Sequence, residues 1–182
     1  TSYSWWKQYL GKALERYDTV RIDHFRGFES YFAIPCGDEN AKGGKWVKGP
    51  DVDLFNALKA EFGKDLPIIA EDLGVITPAV RKMLSATQFP GMKVLQFAFS
   101  GDCDNSFLPH NIVKNCVVYT GTHDNDTAEA WYENADEATK KRVSLLCGDL
   151  GFTPCEKLIT LAMNSRADTV IIPLADYLER GN

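Results

Sequence analysis

The sequence predicts an α/β fold in which helices cover a mainly parallel β-sheet. Short, continuous apolar runs alternate along the chain with segments whose apolar residues recur at helical spacing. Strands that are apolar on both faces are typical of parallel sheets with helices packed on each side. The chain contains no internal repeat, low-complexity stretch or linker, so all 182 residues are expected to form one unit.

The first half of the chain is expected to contain two strands and three helices. In order, these elements are a helix over residues 4–17 capped by Ser4, a strand over 19–25, a long loop over 28–50, a helix capped by Asp51, a strand over 67–72, and a helix that begins at Thr77 and Pro78. The second half is expected to add three more strands, over residues 94–99, 116–120 and 168–173. Helical patterns follow from about 127 to 146, then a capping box at Thr153 and Glu156 begins a further helix, and a short helix follows the last strand.

The composition is that of a globular domain with a slight excess of acid. Hydrophobic residues make up 45% of the chain, which is enough for a sizeable core and excludes extended disorder. The formal net charge of −5 argues against nucleic acid and an anionic membrane surface as partners, because both require a basic patch. No apolar run approaches the ~20 residues that a helix needs to cross a bilayer.

The five cysteines are widely scattered, and none belongs to a C-x-x-C pair. This pattern argues against a zinc site and a disulfide framework, and it favours a reducing compartment. No H-x-x-H or H-E-x-x-H spacing indicates a metal site built from histidine either. The chain begins at Thr1 and almost at once enters a helical pattern, so we expect it to be a piece of a longer protein.

Charged residues follow three of the predicted strands. Asp23 and Glu71 end two of them, and Asp124 comes shortly after a third. Because the carboxyl ends of parallel strands form the functional site of α/β folds, we expect these acids to face one cleft. The alternative is that each acid caps a helix or holds a loop, which is the commoner role for any one of them. Asp72 is expected to be such a structural acid, since alternation along the strand directs it away from Glu71.

Two kinds of neighbour accompany these acids. Arg21 and Asp23 share a face of their strand, which predicts either a buried salt bridge or a cation that fixes the rotamer of an ionised Asp23, and the two interpretations are compatible. His24 and His123 each adjoin a strand-end acid, whereas His110 has no such neighbour and stays unassigned.

Four longer motifs contain these residues or lie between them. They are R-I-D-H-F-R-G at 21–27, A-E-D-L-G at 70–74, F-P-G-M-K-V-L-Q-F-A-F at 89–99 and Y-T-G-T-H-D-N-D-T at 119–127. Together they resemble the amylomaltases, the 4-α-glucanotransferases or disproportionating enzymes of the α-amylase superfamily. W-V-K-G-P at 46–50 and A-D-T-V-I-I-P-L at 167–174 are similar to that family as well. The resemblance extends from about Trp5 to Leu178.

Members of that family are built on a (β/α)₈ barrel and transfer α-glucans by a retaining double displacement. The resemblance implies that this chain is the C-terminal part of such a TIM barrel, about strands four to eight, since five strands are predicted and a barrel needs eight. It also implies an α-1,4-glucan or maltooligosaccharide as donor and acceptor, and no cofactor. The implied location is cytoplasmic, or a plastid in a photosynthetic source.

The resemblance assigns roles residue by residue. Asp23 would be the nucleophile, Glu71 the general acid/base, and Asp124 a third acid that binds hydroxyls of the sugar. Retention requires the first two carboxyl groups to lie ~5–5.5 Å apart. Four further residues would contact the substrate or the nucleophile: Arg21, His24 and His123 by hydrogen bonds, and Phe97 by stacking on a glucose ring.

Two other functions stay open at this level. A hydrolase of the same superfamily would use the same acids with water in place of the sugar acceptor. A non-catalytic fragment that binds glucan or merely folds is the second, although three intact acids argue against a degenerate site. An open five-stranded sheet would expose two edges and the barrel interior, so the isolated chain is expected to be poorly stable or to self-associate.

Overall fold

The chain divides into two compact units, Thr1–Gly91 and Met92–Asn182. The structure, a computed structural model, describes residues 2–101, 103–148 and 153–180. Both units combine strands with helices, which confirms the predicted α/β class. Among the residues described, no helix is both long and apolar enough to cross a membrane.

The first unit is built on a short parallel strand pair. Its elements are α1 (Ser4–Leu14), β1 (Val20–Ile22), a 3₁₀ helix (Phe25–Phe28), β2 (Ser30–Ala33), a second 3₁₀ helix (Ala41–Gly43), β3 (Lys45–Lys48), α2 (Val52–Phe62), β4 (Ile68–Ala70) and α3 (Pro78–Thr87). Strands β1 and β4 pair in parallel, with Val20 opposite Ile68 and Ile22 opposite Ala70. Both predicted strands are therefore present, and each is shorter than the apolar run from which it was predicted.

Aromatic rings form the centre of this unit's core. Phe25, Phe55 and Phe89 are buried, with centroids 5.1 Å apart between the first two and 5.4 Å apart between the last two. Burying a side chain of this size stabilises the fold by about 1.5–3 kcal/mol. Because Phe25 directly follows the predicted catalytic segment, the core also anchors that segment.

The predicted loop over residues 28–50 is wrong in part, because it contains an antiparallel hairpin. Strands β2 and β3 pair with Ser30 opposite Lys48 and Ala33 opposite Lys45. Phe32 and Trp46 face each other across the hairpin with ring centroids 5.5 Å apart, an aromatic cross-strand pair of the kind that stabilises two-stranded sheets. Each strand has only four residues, and the glycines and lysines around them hid the pattern.

Two of the three predicted helix starts in this unit are confirmed. Asp51 caps α2 by accepting from the N–H of Val52, and Thr77 caps α3 ahead of Pro78. The third was wrong: Ser4 is already helical, because the helical hydrogen bonds begin at the carbonyl of Tyr3.

The second unit contains a three-stranded sheet. Its elements are β5 (Gly91–Val94), 3₁₀ helices Leu95–Phe99 and Pro109–Asn111, β6 (Cys116–Tyr119), α4 (Ala128–Asn134), α5 (Glu137–Cys147), α6 (Pro154–Met163), β7 (Thr169–Ile171) and α7 (Leu174–Tyr177). The strand order is β5-β6-β7, and β6 runs parallel to β7. Residues from β6, α4, α5 and α6 form the buried core.

The strand predicted over residues 94–99 was wrong. The strand ends at Val94, and Leu95–Phe99 forms a 3₁₀ helix. Leu95, Ala98 and Phe99 are buried in the core, whereas Phe97 is 39% exposed, so the apolar run follows a helical rather than an alternating pattern. A short apolar run is compatible with both structures, and only its packing decides between them.

The remaining predicted elements of this unit are confirmed with adjusted bounds. The helical pattern from about 127 to 146 is two helices, α4 and α5, and Asp136 caps the second by accepting from the N–H of Thr139. The capping box between Thr153 and Glu156 is present at the start of α6. Closure of these strands into a barrel stays a prediction.

Candidate active site

Asp23 and Glu71 follow the paired strands of the first unit at the same level. The register places Ile22 opposite Ala70, and each acid is the next residue on its strand. Two further main-chain bonds continue the pairing, from the N–H of Glu71 to the carbonyl of Ile22 at 2.9 Å and from the N–H of Phe25 to the carbonyl of Glu71 at 3.0 Å. Since neighbouring strands lie ~4.8 Å apart, the two acids are brought side by side at one sheet edge.

The carboxylate of Glu71 is held by main-chain donors from two loops. The N–H of His24 donates to Oε2 at 2.7 Å, and the N–H of Leu73 donates to Oε1 at 2.8 Å. One donor belongs to the turn after β1 and the other to the turn after β4. The side chain of Glu71 is therefore oriented by main-chain donors.

His24 has a left-handed backbone conformation, with φ 48° and ψ 51°. Residues other than glycine rarely adopt this conformation, and the residue that adopts it here is the one whose N–H donates to Glu71. The turn is tight: a Cβ on Gly27 would lie 3.2 Å from Cδ2 of the imidazole. His24 thus acts on Glu71 through its main chain, in addition to any contact that its ring makes.

Arg21 pairs with Asp23, as the sequence predicts, with Nη2 3.3 Å from Oδ1. The expectation that this salt bridge is buried was wrong, because the side chain of Asp23 is 75% exposed. Asp23 lies one residue beyond the end of β1, where the neighbouring elements no longer cover it. The carboxylate is therefore paired on one side and open to solvent on the other.

The carboxylate of Asp72 lies close to the backbone of Gly91, since a Cβ on Gly91 would lie 2.8 Å from its Oδ1. A structural role for Asp72 stays a prediction. A larger residue at Gly91 would displace that carboxylate.

Arg26, which was not among the predicted site residues, braces the turn after β1. Its Nη1 donates to the carbonyl of Val75 at 2.9 Å, and its guanidinium lies 4.7 Å from the ring centroid of Trp46. Arg26 therefore connects the turn to the β2–β3 hairpin and to the loop after β4. The feature of the sequence that could have pointed to Arg26 was its place next to a glycine, in R-G at 26–27.

In the second unit, His123 and Asp124 lie at the tip of the loop that joins β6 to α4. His123 Nε2 is 3.4 Å from Asp124 Oδ1, and their side chains are 69% and 77% exposed. The loop is braced internally, because Asn125 Oδ1 accepts from both the N–H and the hydroxyl of Thr122. The two predicted residues are brought together and presented to solvent.

Phe97 lies in the 3₁₀ helix after β5, where its ring packs edge-on against Phe107 with centroids 5.5 Å apart. Its neighbour Gln96 is buried and donates to the carbonyl of Asp126, so this helix supports the loop after β6. That the acids of all three strand ends face one cleft stays a prediction. Within the described part of the chain, no group of three or more His, Cys, Asp or Glu side chains could hold a metal ion.

Comparison with known proteins gives a consistent family. A family model described as 4-alpha-glucanotransferase matches residues 1–182. The chain is 45% identical over 186 residues to a 4-alpha-glucanotransferase of Clostridium butyricum, covering 100% of this chain and 38% of the relative. It is 52% identical over 179 residues to the 4-alpha-glucanotransferase of Streptococcus pneumoniae serotype 4, covering 97% of this chain and 35% of the relative. The chain thus spans less than two fifths of the length of these curated relatives.

Solved structures give the same likeness. An amylomaltase from Streptococcus agalactiae in complex with acarbose matches with a TM-score of 0.93 and 34% identity, over 99% of this chain and 37% of that one. An amylomaltase from Corynebacterium glutamicum matches with a TM-score of 0.71 and 18% identity, which shows a shared fold alone.

Proposed function

Because the chain belongs to the 4-alpha-glucanotransferase family, we propose that it carries the catalytic acids of a retaining α-glucan transferase. The reaction moves a segment of an α-1,4-glucan to the 4-OH of another glucan or of glucose. Asp23 is the nucleophile and Glu71 the general acid/base. The barrel to which these strands would belong is part of the same proposal.

The observation that carries the proposal is the parallel register of β1 and β4. It makes Asp23 and Glu71 neighbours across two strands, in a spacing compatible with the ~5–5.5 Å that retention requires between the carboxyl groups. The two acids also differ in their surroundings. Asp23 is paired with a cation and open to solvent, whereas Glu71 is held by two main-chain donors.

The proposed reaction has two steps. In the first, a carboxylate oxygen of Asp23 attacks the anomeric carbon, the glycosidic C–O bond breaks, and protonated Glu71 gives its proton to the departing 4-oxygen. In the second, the acceptor 4-OH gives its proton to ionised Glu71 while its oxygen attacks the same carbon and displaces Asp23. Two inversions retain the α configuration, and both side chains return to their starting states.

The other predicted residues bind the sugar in this proposal. Asp124 accepts hydrogen bonds from sugar hydroxyls, and its exposed carboxylate beside His123 is suited to this. Arg21 orients Asp23, and Phe97, a residue that is 39% exposed, stacks on a glucose ring. His24 has a double role, because its imidazole binds sugar while its N–H orients Glu71.

Incubation of the full chain with pure maltotriose tests the activity. Glucose together with maltopentaose and longer oligomers is the expected product pattern, because transfer of a maltosyl unit lengthens one chain as it shortens another. Glucose and maltose without longer products would mean that water is the acceptor and the enzyme is a hydrolase. An absence of products in the full chain would contradict both.

Two variants with the same chemical change test the nucleophile. Asp23→Asn removes the attacking oxygen and should abolish transfer. Asp18→Asn makes the same change at an exposed residue that lies two positions before the start of β1, and it should leave turnover unchanged. Equal turnover in D23N and D18N would refute the assignment of Asp23.

A further inference from the structure

A buried aspartate in the second unit contacts both ends of the loop that carries His123 and Asp124. Asp176 lies in the short helix α7 and is only 1% exposed. Its two carboxylate oxygens accept from different donors, Oδ2 from the hydroxyl of Thr120 at 2.5 Å and Oδ1 from the N–H of Ala128 at 2.8 Å.

These two donors flank the loop. Thr120 is the residue after the end of β6, and Ala128 is the first residue of α4. The carboxylate therefore ties together the two ends of the loop over residues 121–127. The loop has a third anchor near its C-terminal end, because Gln96 Nε2 donates to the carbonyl of Asp126 at 2.8 Å.

The loop borders a cavity of about 290 Å³, and Asp176 contributes to its lining. His123 and Asn125 line it from the loop, and Pro173 and Ala175 line it from the segment after β7. Because the loop is braced internally between Thr122 and Asn125, holding its two ends sets where its tip lies.

We infer that Asp176 is a positioning residue: it holds the 121–127 loop so that His123 and Asp124 are presented in the orientation that sugar binding requires. The inference rests on the proposed function for its consequence in catalysis, but the positioning of the loop is independent of it. Asp176 itself touches no reacting atom.

The chemistry of the side chain supports this role over simple packing. Burial of a carboxylate is costly unless hydrogen bonds compensate it, and an apolar residue of similar volume often gives a more stable fold. A carboxylate is suited to this place because it accepts from a side chain on one element and from the main chain of another. Its charge also lies favourably at the start of α4.

Four variants of the full chain test the inference, with maltotriose as substrate. Asp176→Ala removes both hydrogen bonds, and Thr120→Val removes one with little change of shape. Asp176→Asn keeps an acceptor for Ala128 and can donate to the Thr120 hydroxyl, so it should restore most of the function. Asp136→Ala is the matched control, because it also removes an aspartate that caps a helix of this unit, away from the loop.

Two readouts separate positioning from a general loss of stability. The first is kcat/KM, measured roughly 15 °C or more below the melting temperature of each variant. Each kcal/mol of lost stability lowers the melting temperature of a chain of this length by only ~2–4 °C, so every variant is then still folded. The second is amide hydrogen exchange of the 119–128 segment, which reports the loop whether or not the protein is active.

The expected results follow from the geometry. D176A should lower kcat/KM by about 10- to 100-fold and speed exchange in the loop, since a displacement of ~1 Å in a binding group has an effect of that size. T120V should also lower kcat/KM and speed loop exchange, each to a smaller extent. D176N should keep kcat/KM within about 5-fold of wild type, and D136A should change neither kcat/KM nor loop exchange. If D176A does not fold, T120V decides.

Two outcomes would overturn the inference. One is D176A or T120V with the same loop exchange as wild type, and the other is faster exchange in D136A to the same degree. If the wild type transfers no glucan, the proposed function fails, and the exchange data alone decide whether Asp176 positions the loop.

Discussion

The main-chain N–H of His24 donates to Oε2 of Glu71 at 2.7 Å, and His24 has a left-handed conformation, with φ 48°. A strained residue thereby fixes the orientation of the proposed acid/base. The strain is tolerated because the next residue, Phe25, is fully buried and holds the turn in place.

Replacing His24 by glycine or by valine separates the main chain from the imidazole. Both variants lack the ring, but glycine accepts a positive φ and valine resists it. We expect H24V to be less stable than H24G by about 1–2 kcal/mol in urea unfolding. We also expect its kcat to be lower by about 10-fold, because a hydrogen bond to a charged group contributes ~1.5–3 kcal/mol.

The comparison is decisive because neither variant has an imidazole. Equal kcat values in H24G and H24V, measured under conditions in which both variants are folded, would show that the main-chain hydrogen bond to Glu71 has no part in turnover.

Phe25 is expected to anchor the Asp23–His24 turn through the core. F25A should lower the free energy of unfolding by about 3–5 kcal/mol, since the side chain is 0% exposed and packs between two other rings. Phe62, which is 38% exposed, provides the control, and F62A should lose less than half as much. Similar losses in the two variants, measured by denaturant titration, would contradict this account of the core.

Much of this fold could be predicted because its strands and caps are local signals. The parallel strands β1 and β4 follow from apolar runs, and the side chains of Thr77 and Thr153 cap helices by accepting from an N–H only three residues away. The β2–β3 hairpin and the 3₁₀ helix at Leu95–Phe99 were missed. Their formation depends on which faces pack against neighbouring elements, and short runs of four or five residues do not reveal that.

Asp136 should make stability depend on pH in the acid range. The N–H of Thr139, then its hydroxyl, and to a lesser degree Arg142 lower the pKa of Asp136 below its ordinary value of 3.8. The stabilisation is therefore fully present above about pH 4 and is lost as pH falls through the lowered pKa of the folded state. In thermal melts at pH 6, the melting temperature of the wild type should exceed that of Asp136→Asn. This difference in melting temperature should shrink steadily below pH 4.

A difference between wild type and D136N that grows on acidification would have the wrong sign for this cap. The same titration on Asp18→Asn, at an exposed residue outside any helix, gives the reference curve.

Cys155 should be inert in the native chain. Burial, together with the nearby carboxylates of Asp176 and Glu129, raises the pKa of its thiol to about 12. The thiolate is the reactive form, so iodoacetamide at pH 8 should modify exposed Cys36 and leave Cys155 unmodified until the chain is denatured. Peptide mass spectrometry measures both sites in one sample, and equal labelling of the two would contradict the structure of this core.

The candidate site shows where sequence reasoning ends. Asp23 and Glu71 were predicted as site residues because acids at the ends of apolar strands stand out in the sequence. Asp176 and Arg26 were missed because each acts through a tertiary contact, with partners 56 and 49 residues away. The exposure of Asp23 was also missed, since the sequence shows a strand but not the residue at which its cover ends.

The most direct test of the account is to trap the covalent intermediate on Asp23. In Glu71→Gln, α-maltotriosyl fluoride can still react, because fluoride leaves without a proton, whereas the second step lacks its base. The intermediate should accumulate, and peptide mass spectrometry should find the maltotriosyl adduct on Asp23 and no adduct in the D23N/E71Q double variant. An adduct on another residue, or an equal adduct in the double variant, would contradict the assignment of Asp23 as the nucleophile.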